Sequence, residues 1–200
     1  MSRKNLETRN RILLATWRMM ESGDANAVRM GDIAKEAGIS RQALYLHFPA
    51  RADLLVATAR YLDEFYDIDE RLAASRAAET GIERLDAFIE AWGNYIPKIY
   101  GMAKAFFAMK DTDEAALIAW TGRMEAVRHG CRAAIRALNR DGTLSPDHSP
   151  SQAADILWTM LSVRNWEQLR HDCRWSQKRY LSVTKSSARR LLVNENRADG

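Results

Sequence analysis

The sequence predicts an all-α fold, and three observations carry that reading. Only four Pro and ten Gly occur in 200 residues while Ala, Leu and Arg are abundant, a composition that favours helices over turns and strands. Apolar residues recur three and four positions apart along most of the chain, the spacing of a buried helix stripe. Helix-opening signals stand in front of several of these stretches: Ser40, Thr80 with Glu83, and Ser149 with Pro150 and Gln152.

The first helix is expected from about Leu6 to Ser22, through Ile12, Leu13, Ala15, Thr16, Met19 and Met20, with Gly23 as its stop. Ser2, Arg3 and Lys4 read as a short basic arm before it, and Trp17 as a packing residue. Met30 to Phe48 is the organising stretch. Ile33, Ala34, Ala37, Ile39, Leu44 and Phe48 give two short segments an inward face. Gly38 suits the corner between them, since glycine enters the left-handed region without a Cβ penalty, and Ser40 caps the second segment. Two short helices joined by a Gly-containing turn form a helix-turn-helix, whose second helix enters the DNA major groove.

The outward residues of that second helix fit base reading. Arg41 forks onto guanine and Gln42 pairs with adenine, while Ala43 and Leu46 suit a thymine methyl. Tyr45, His47 and Arg51 carry groups for phosphates, which set register without reading sequence. Charge agrees: residues 1–60 hold ten Lys and Arg against six Asp and Glu, and the remaining 140 residues are balanced at 20 each. A basic module on a neutral remainder is the footprint of a polyanion partner.

The order DIAKEAGIS, a short helix ending LYLHF, a polar linker and the Asp53-Leu54-Leu55 helix start resembles the DNA-binding domain of TetR family transcriptional regulators. The resemblance covers about residues 8 to 60. It implies a helix-turn-helix DNA-binding domain over 1–50, a linker helix from about 51, and a helical ligand-binding and dimerisation domain over 51–200. The chain departs from the family pattern at Arg29, where a Thr commonly opens the second helix, so that Arg29 is a weaker cap or reaches a phosphate. Gln42 and Ala43 replace the frequent Gly-Thr pair, and Ala50 stands where Ser often caps the fourth helix.

Farther along, a fourth helix is expected from Arg51 to near Leu72, and the Thr80–Glu83 box opens a helix ending near Tyr95 ahead of Pro97, with a short helix after it. Asp111 with Glu114 is expected to open a helix to Asn139, followed by one long loop, NRDGTLSPDHSPS. The last two helices are expected over Pro150–Arg170 and, after a Ser176 cap, Ser176–Val193; these are the candidates for pairing with a second copy in a four-helix bundle. Residues 194–200 read as disordered.

Bulky residues in the larger domain mark a mostly apolar small-molecule pocket: Trp92, Tyr95, Tyr100, Met102 and Phe106, with Phe107, Trp120, Met124 and Trp158. The family resemblance implies a ligand among these middle helices; an apolar or aromatic effector is expected.

No catalytic motif appears around the four His, and no metal-ligand spacing involves Cys131 or Cys173, so no enzyme, cofactor or metal is expected. No apolar run reaches membrane-spanning length, and the start MSRKNLETRN lacks the apolar core of a signal peptide, which together lead to a cytoplasmic expectation. The reading is therefore a ligand-responsive regulator, a repressor, binding a palindromic operator in double-stranded DNA as a homodimer. The alternative is a helical ligand-sensing or protein-interaction module that does not act on DNA.

Overall fold

The computed structural model describes residues 3–22 and 28–194 of the chain, and these residues form helices joined by turns with a single isolated β-bridge. Packing groups the chain into two compact units: Met1–Tyr66 with Ile99–Met124, and Asp67–Lys98 with Glu125–Gly200. This differs from the sequence division at residue 50. Two ion pairs within the first unit explain the grouping of its distant segments. Arg123 holds Asp63 through two parallel 2.7 Å hydrogen bonds, and Arg51 holds Asp113 at 2.8 Å.

In the first unit, α1 (Arg3–Glu21) buries Ile12, Leu13, Ala15, Thr16, Trp17 and Met20. Arg3 and Lys4 belong to its first turn rather than to an arm, and Arg3 Nε donates to Glu7 Oε1 at 3.3 Å. Ser2, and the expected stop at Gly23, lie outside the described residues. Next come α2 (Met30–Glu36), α3 (Arg41–His47) and α4 (Arg51–Phe65). Trp17 packs edge-on to Phe65 and Tyr66 at 5.1 and 5.8 Å, locking α1 to the end of α4. The fourth helix stops at Phe65, short of Leu72, because Asp67 takes a left-handed conformation (φ 50°, ψ 48°) that an α-helix cannot pass through. Short α5 (Ile68–Arg71) and α6 (Ala73–Ala77) follow.

α7 (Gly81–Met109) is one helix of 29 residues with Pro97 inside it, where the sequence reading ended a helix near Tyr95. Proline removes the amide that would bond the carbonyl four residues back. Here that carbonyl, Gly93 O, accepts a 2.9 Å hydrogen bond from Gln177 Nε2, and Gln177 Oε1 in turn accepts from Trp166 Nε1 at 3.0 Å. A side chain 84 residues away supplies the donor that Pro97 lacks, so the helix continues. The Thr80–Glu83 box that opens it is present, with Glu83 N donating to Thr80 Oγ1 at 3.2 Å and Thr80 N to Glu83 Oε2 at 3.1 Å.

Gly81 packs its α-carbon against the last turns of α8 (Glu114–Arg140): an added Cβ would stand 2.5 Å from Leu138 N and 2.7 Å from Ala137 C. Backbone atoms cannot swing aside. Gly81→Ala is therefore expected to cost about 1–3 kcal/mol, the usual penalty of overpacking, read as a lower urea midpoint; an unchanged midpoint would show that the two helices separate freely.

α8 opens on Asp113 rather than Asp111. Asp113 Oδ1 accepts from Ala115 N at 3.0 Å, while Asp111 pairs with neighbouring Lys110 at 2.6 Å. The predicted loop follows, with Gly142 at φ 70°. α9 (Pro150–Met160) has the expected box, Gln152 N donating to Ser149 Oγ at 3.3 Å and Ser149 N to Gln152 Oε1 at 2.9 Å. It ends ten residues before the expected Arg170. Ser162 caps a separate α10 (Val163–Glu167) through Asn165 N at 3.1 Å, and a π-helical turn, Gln168–Asp172, completes the segment. Ser176 then caps α11 (Gln177–Leu192), accepting from Arg179 N at 3.1 Å.

Of the expected disordered end, Asn194 is ordered, donating to Thr143 O at 2.9 Å; residues 195–200 lie outside the described residues. Cys131 is buried, and burial pushes its thiol up to about 12; Cys173, after the π-helical turn, is exposed. No described helix is long and apolar enough to cross a membrane.

Candidate nucleic-acid interface

The corner between α2 and α3 is built as the local sequence dictates. Gly38 sits at φ 65°, and its neighbour Ile39 returns an amide to Ala34 O at 3.0 Å, closing α2. Ser40 Oγ accepts from Ala43 N at 3.1 Å and opens α3. α3 then divides by face. Leu44 is fully buried and Phe48 nearly so, whereas Arg41, Gln42, Tyr45 and Leu46 are exposed, Leu46 by 83%. Ala43 and His47 are half-buried. An apolar side chain held out in solvent on a helix anchored by Leu44 is a feature that solubility alone would remove.

Two of the cations beside this face are held in place. The Arg41 guanidinium lies over the Tyr45 ring at 5.7 Å, and Arg9 of α1 lies over Phe48 at 5.0 Å. Arg29 precedes α2 as its cap residue without a side-chain cap bond and is exposed. Ala50 has no capping oxygen for α4; Asp53 Oδ2 accepts from Ala50 N at 3.3 Å instead. Arg29, Arg41, Tyr45, Arg51 and Asp113 line one groove of about 510 Å³.

Arg51 departs from its expected place at phosphates. Its guanidinium turns into the unit, bonding Asp113 Oδ2 through Nε at 2.9 Å and also the carbonyl of Val28. The partner, Asp113, was missed by sequence reasoning; the signal available was its position directly before the helix at Glu114.

The nine aromatic and methionine pocket candidates fall in both units. Trp92, Tyr95 and Trp158 belong to one unit, and Tyr100, Met102, Phe106, Phe107, Trp120 and Met124 to the other. Trp92 donates its indole N–H to Leu161 O at 2.8 Å and packs 5.8 Å from Tyr95, which is fully buried. The Arg128 guanidinium lies 5.2 Å from the Trp158 ring. Trp120 packs on Phe107 at 4.8 Å and Phe106 at 5.8 Å. Met102 and Phe106 are fully buried, while Tyr100, Phe107 and Met124 are half-buried. Among the described residues no group of His, Cys, Asp and Glu could hold a metal ion.

The helix-turn-helix is also what comparison with known proteins picks out. Residues 12–58 match the model of bacterial regulatory proteins of the tetR family. Its N-terminal helix-turn-helix segment is of the TetR family type. TetR family proteins are transcriptional regulators rather than enzymes. The chain is 26% identical over 158 residues to the HTH-type transcriptional repressor LfrR of Mycolicibacterium smegmatis, covering 78% of this chain and 76% of that relative. In fold it is similar to a transcriptional regulator from Saccharomonospora viridis in complex with choline, at 19% identity and TM-score 0.74 over 94% of this chain and 99% of that one. It is likewise similar to NalD, the secondary repressor of the MexAB-OprM multidrug efflux pump in Pseudomonas aeruginosa. That match has TM-score 0.69 and 20% identity over 97% of this chain and 100% of NalD. These likenesses show the fold, an N-terminal helix-turn-helix followed by a larger helical remainder.

Proposed function

We propose that the chain is a ligand-responsive repressor that binds a palindromic operator as a dimer, with α3 as its recognition helix. The observation that carries this reading is the exposed face of α3, where Arg41, Gln42, Tyr45 and Leu46 stand out from a helix pinned by buried Leu44. In this reading Arg41 and Gln42 meet base edges, Ala43 and Leu46 meet thymine methyls, and Arg29, Ser40, Tyr45 and His47 approach the backbone. One helix of seven residues offers few base contacts, so a twofold pair reading half-sites about 34–36 Å apart supplies the specificity. Helices α9 and α11 form the pairing face in this reading, and residues 51–200 form the sensing and dimerisation domain.

The effector is a small molecule, apolar or aromatic in character. The choline held by the S. viridis neighbour extends the class to small organic cations, which aromatic rings attract. Half-buried Tyr100, Phe107 and Met124 are the candidates to contact it. A ligand releases DNA only if it binds the two conformations with different affinity.

Fluorescence anisotropy against duplex from the region upstream of the chain's own gene, with random duplex as competitor and selection from random sequences in parallel, tests the reading. Sequence-preferring, salt-sensitive binding of two chains per site is the expected result. Failure of the selection to enrich any sequence would overturn it in favour of an interaction module. Arg41→Ala is expected to lose about 1–3 kcal/mol on the selected sequence and to relax base preference there. Equal losses on selected and random duplex would remove Arg41 from base reading.

A further inference from the structure

One carboxylate in the first unit serves two purposes. Asp113 Oδ1 caps α8 through Ala115 N at 3.0 Å and Ala116 N at 3.3 Å. Its Oδ2 accepts from Arg51 Nε at 2.9 Å, and Arg51 Nη2 stands 2.8 Å from the same oxygen. The other donors of that guanidinium are also engaged. Nη1 donates to Val28 O, two residues before α2, and Nη2 lies 3.6 Å from Met109 Sδ, the last residue of α7. Both charged side chains are about three-quarters buried, at 23% and 25% exposure.

The position of this node in the chain gives it leverage. Arg51 is the first residue of α4 and follows the end of α3 by four residues; Val28 leads into α2. The approach to α2 and the start of α4 are therefore tied to one another on either side of α3, and both are tied to the turn between α7 and α8. We propose that Asp113, acting through Arg51, sets the orientation of α3 and is a positioning residue for DNA binding although it touches no DNA. This rests on the DNA-binding reading of α3.

Charge makes the proposal separable from its alternatives. Asp113 lines the same groove as Arg29, Arg41 and Tyr45, so simple electrostatics has its negative charge repelling a polyanion. Removing that charge would then tighten binding. A positioning role has the opposite sign: removal frees Arg51, loosens α3 and weakens binding. Base contacts demand placement within about 0.5 Å, so modest loosening is enough.

The test uses Asp113→Asn, Arg51→Gln and the double variant, measured on selected and random duplex over a salt series, with melting temperature followed alongside. Asparagine caps a helix about as well as aspartate, so Asp113→Asn keeps the opening of α8 and removes only the ion pair. Each single variant is expected to bind the selected sequence about tenfold more weakly, the order of effect of breaking one partly buried pair. Random duplex and the salt slope are expected to stay as in wild type, and the double variant to be no weaker than either single, since both act through one link.

Tighter or unchanged binding by Asp113→Asn overturns the proposal. So does a salt slope lowered by about one per chain in Arg51→Gln, which would make Arg51 a phosphate contact. If Asp113→Asn melts below the assay temperature, Asp113→Glu takes its place: it keeps the charge and displaces the pair. It is expected to lose selected binding by roughly threefold, the scale of a distorted rather than absent pair, and unchanged binding overturns the proposal. Wild-type protein that enriches no sequence overturns the DNA reading itself and the proposal with it.

Discussion

Leu44→Ala and Leu46→Ala, two residues apart on α3, are expected to part completely. Leu44 is fully buried and Leu46 is 83% exposed. Truncating a fully buried leucine removes its transfer energy and leaves a cavity, together about 2–5 kcal/mol. That is a large share of the roughly 5–15 kcal/mol by which a domain is stable. A matching fall in the denaturant midpoint of Leu44→Ala is expected, along with weaker binding to every duplex because less protein is folded. Leu46→Ala is expected to keep its midpoint within about 0.5 kcal/mol of wild type, as exposed positions do. Its effect is confined to selected duplex, at whichever base pair meets the methyl groups. A midpoint drop of Leu44→Ala below about 1 kcal/mol would mean that α3 is not seated as described.

Gln177→Ala is expected to cost about 2–5 kcal/mol, because it removes two hydrogen bonds at once and exposes a buried carbonyl to nothing. The Gln177 amide bonds Gly93 O at 2.9 Å and Trp166 Nε1 at 3.0 Å, joining α7, α10 and α11 within one unit. Pro97 is the reason the first of these bonds matters. In a Pro97→Ala background, the amide of residue 97 returns to Gly93 O, and the loss on removing Gln177 is expected to shrink by about 1 kcal/mol. Equal losses in the two backgrounds, measured by a double-mutant cycle in urea, would show that Gln177 acts independently of the proline.

The same pair of residues explains what could be read in the sequence and what could not. The helix-turn-helix was legible because everything that makes it lies within a few positions: Gly38 turns, Ser40 caps Ala43, and Leu44 and Phe48 point inward. The Thr80 and Ser149 boxes were legible for the same reason. Continuation of α7 through Pro97 was not, since its missing donor comes from 84 residues away. Arg51 reads as a phosphate contact because its counter-ion is 62 residues distant. The end of the fourth helix depended on a left-handed Asp67, which side-chain periodicity does not signal. The aromatic candidates could not be told apart from core residues in the sequence for another reason. Hydrophobic size marks burial, and core residues such as Phe106 and Tyr95 carry the same signature as residues lining a cavity.

The unequal settings of the two cysteines make the chain ready for spectroscopy as it stands. Alkylation proceeds through the thiolate, and Cys131, buried with its thiol held near 12, stays silent toward maleimides at neutral pH. Cys173 is exposed and sits between α10 and α11, beside the helices expected to pair. One nitroxide per chain therefore attaches there without engineering, and the dipolar coupling between two such labels would measure the distance between copies directly in solution.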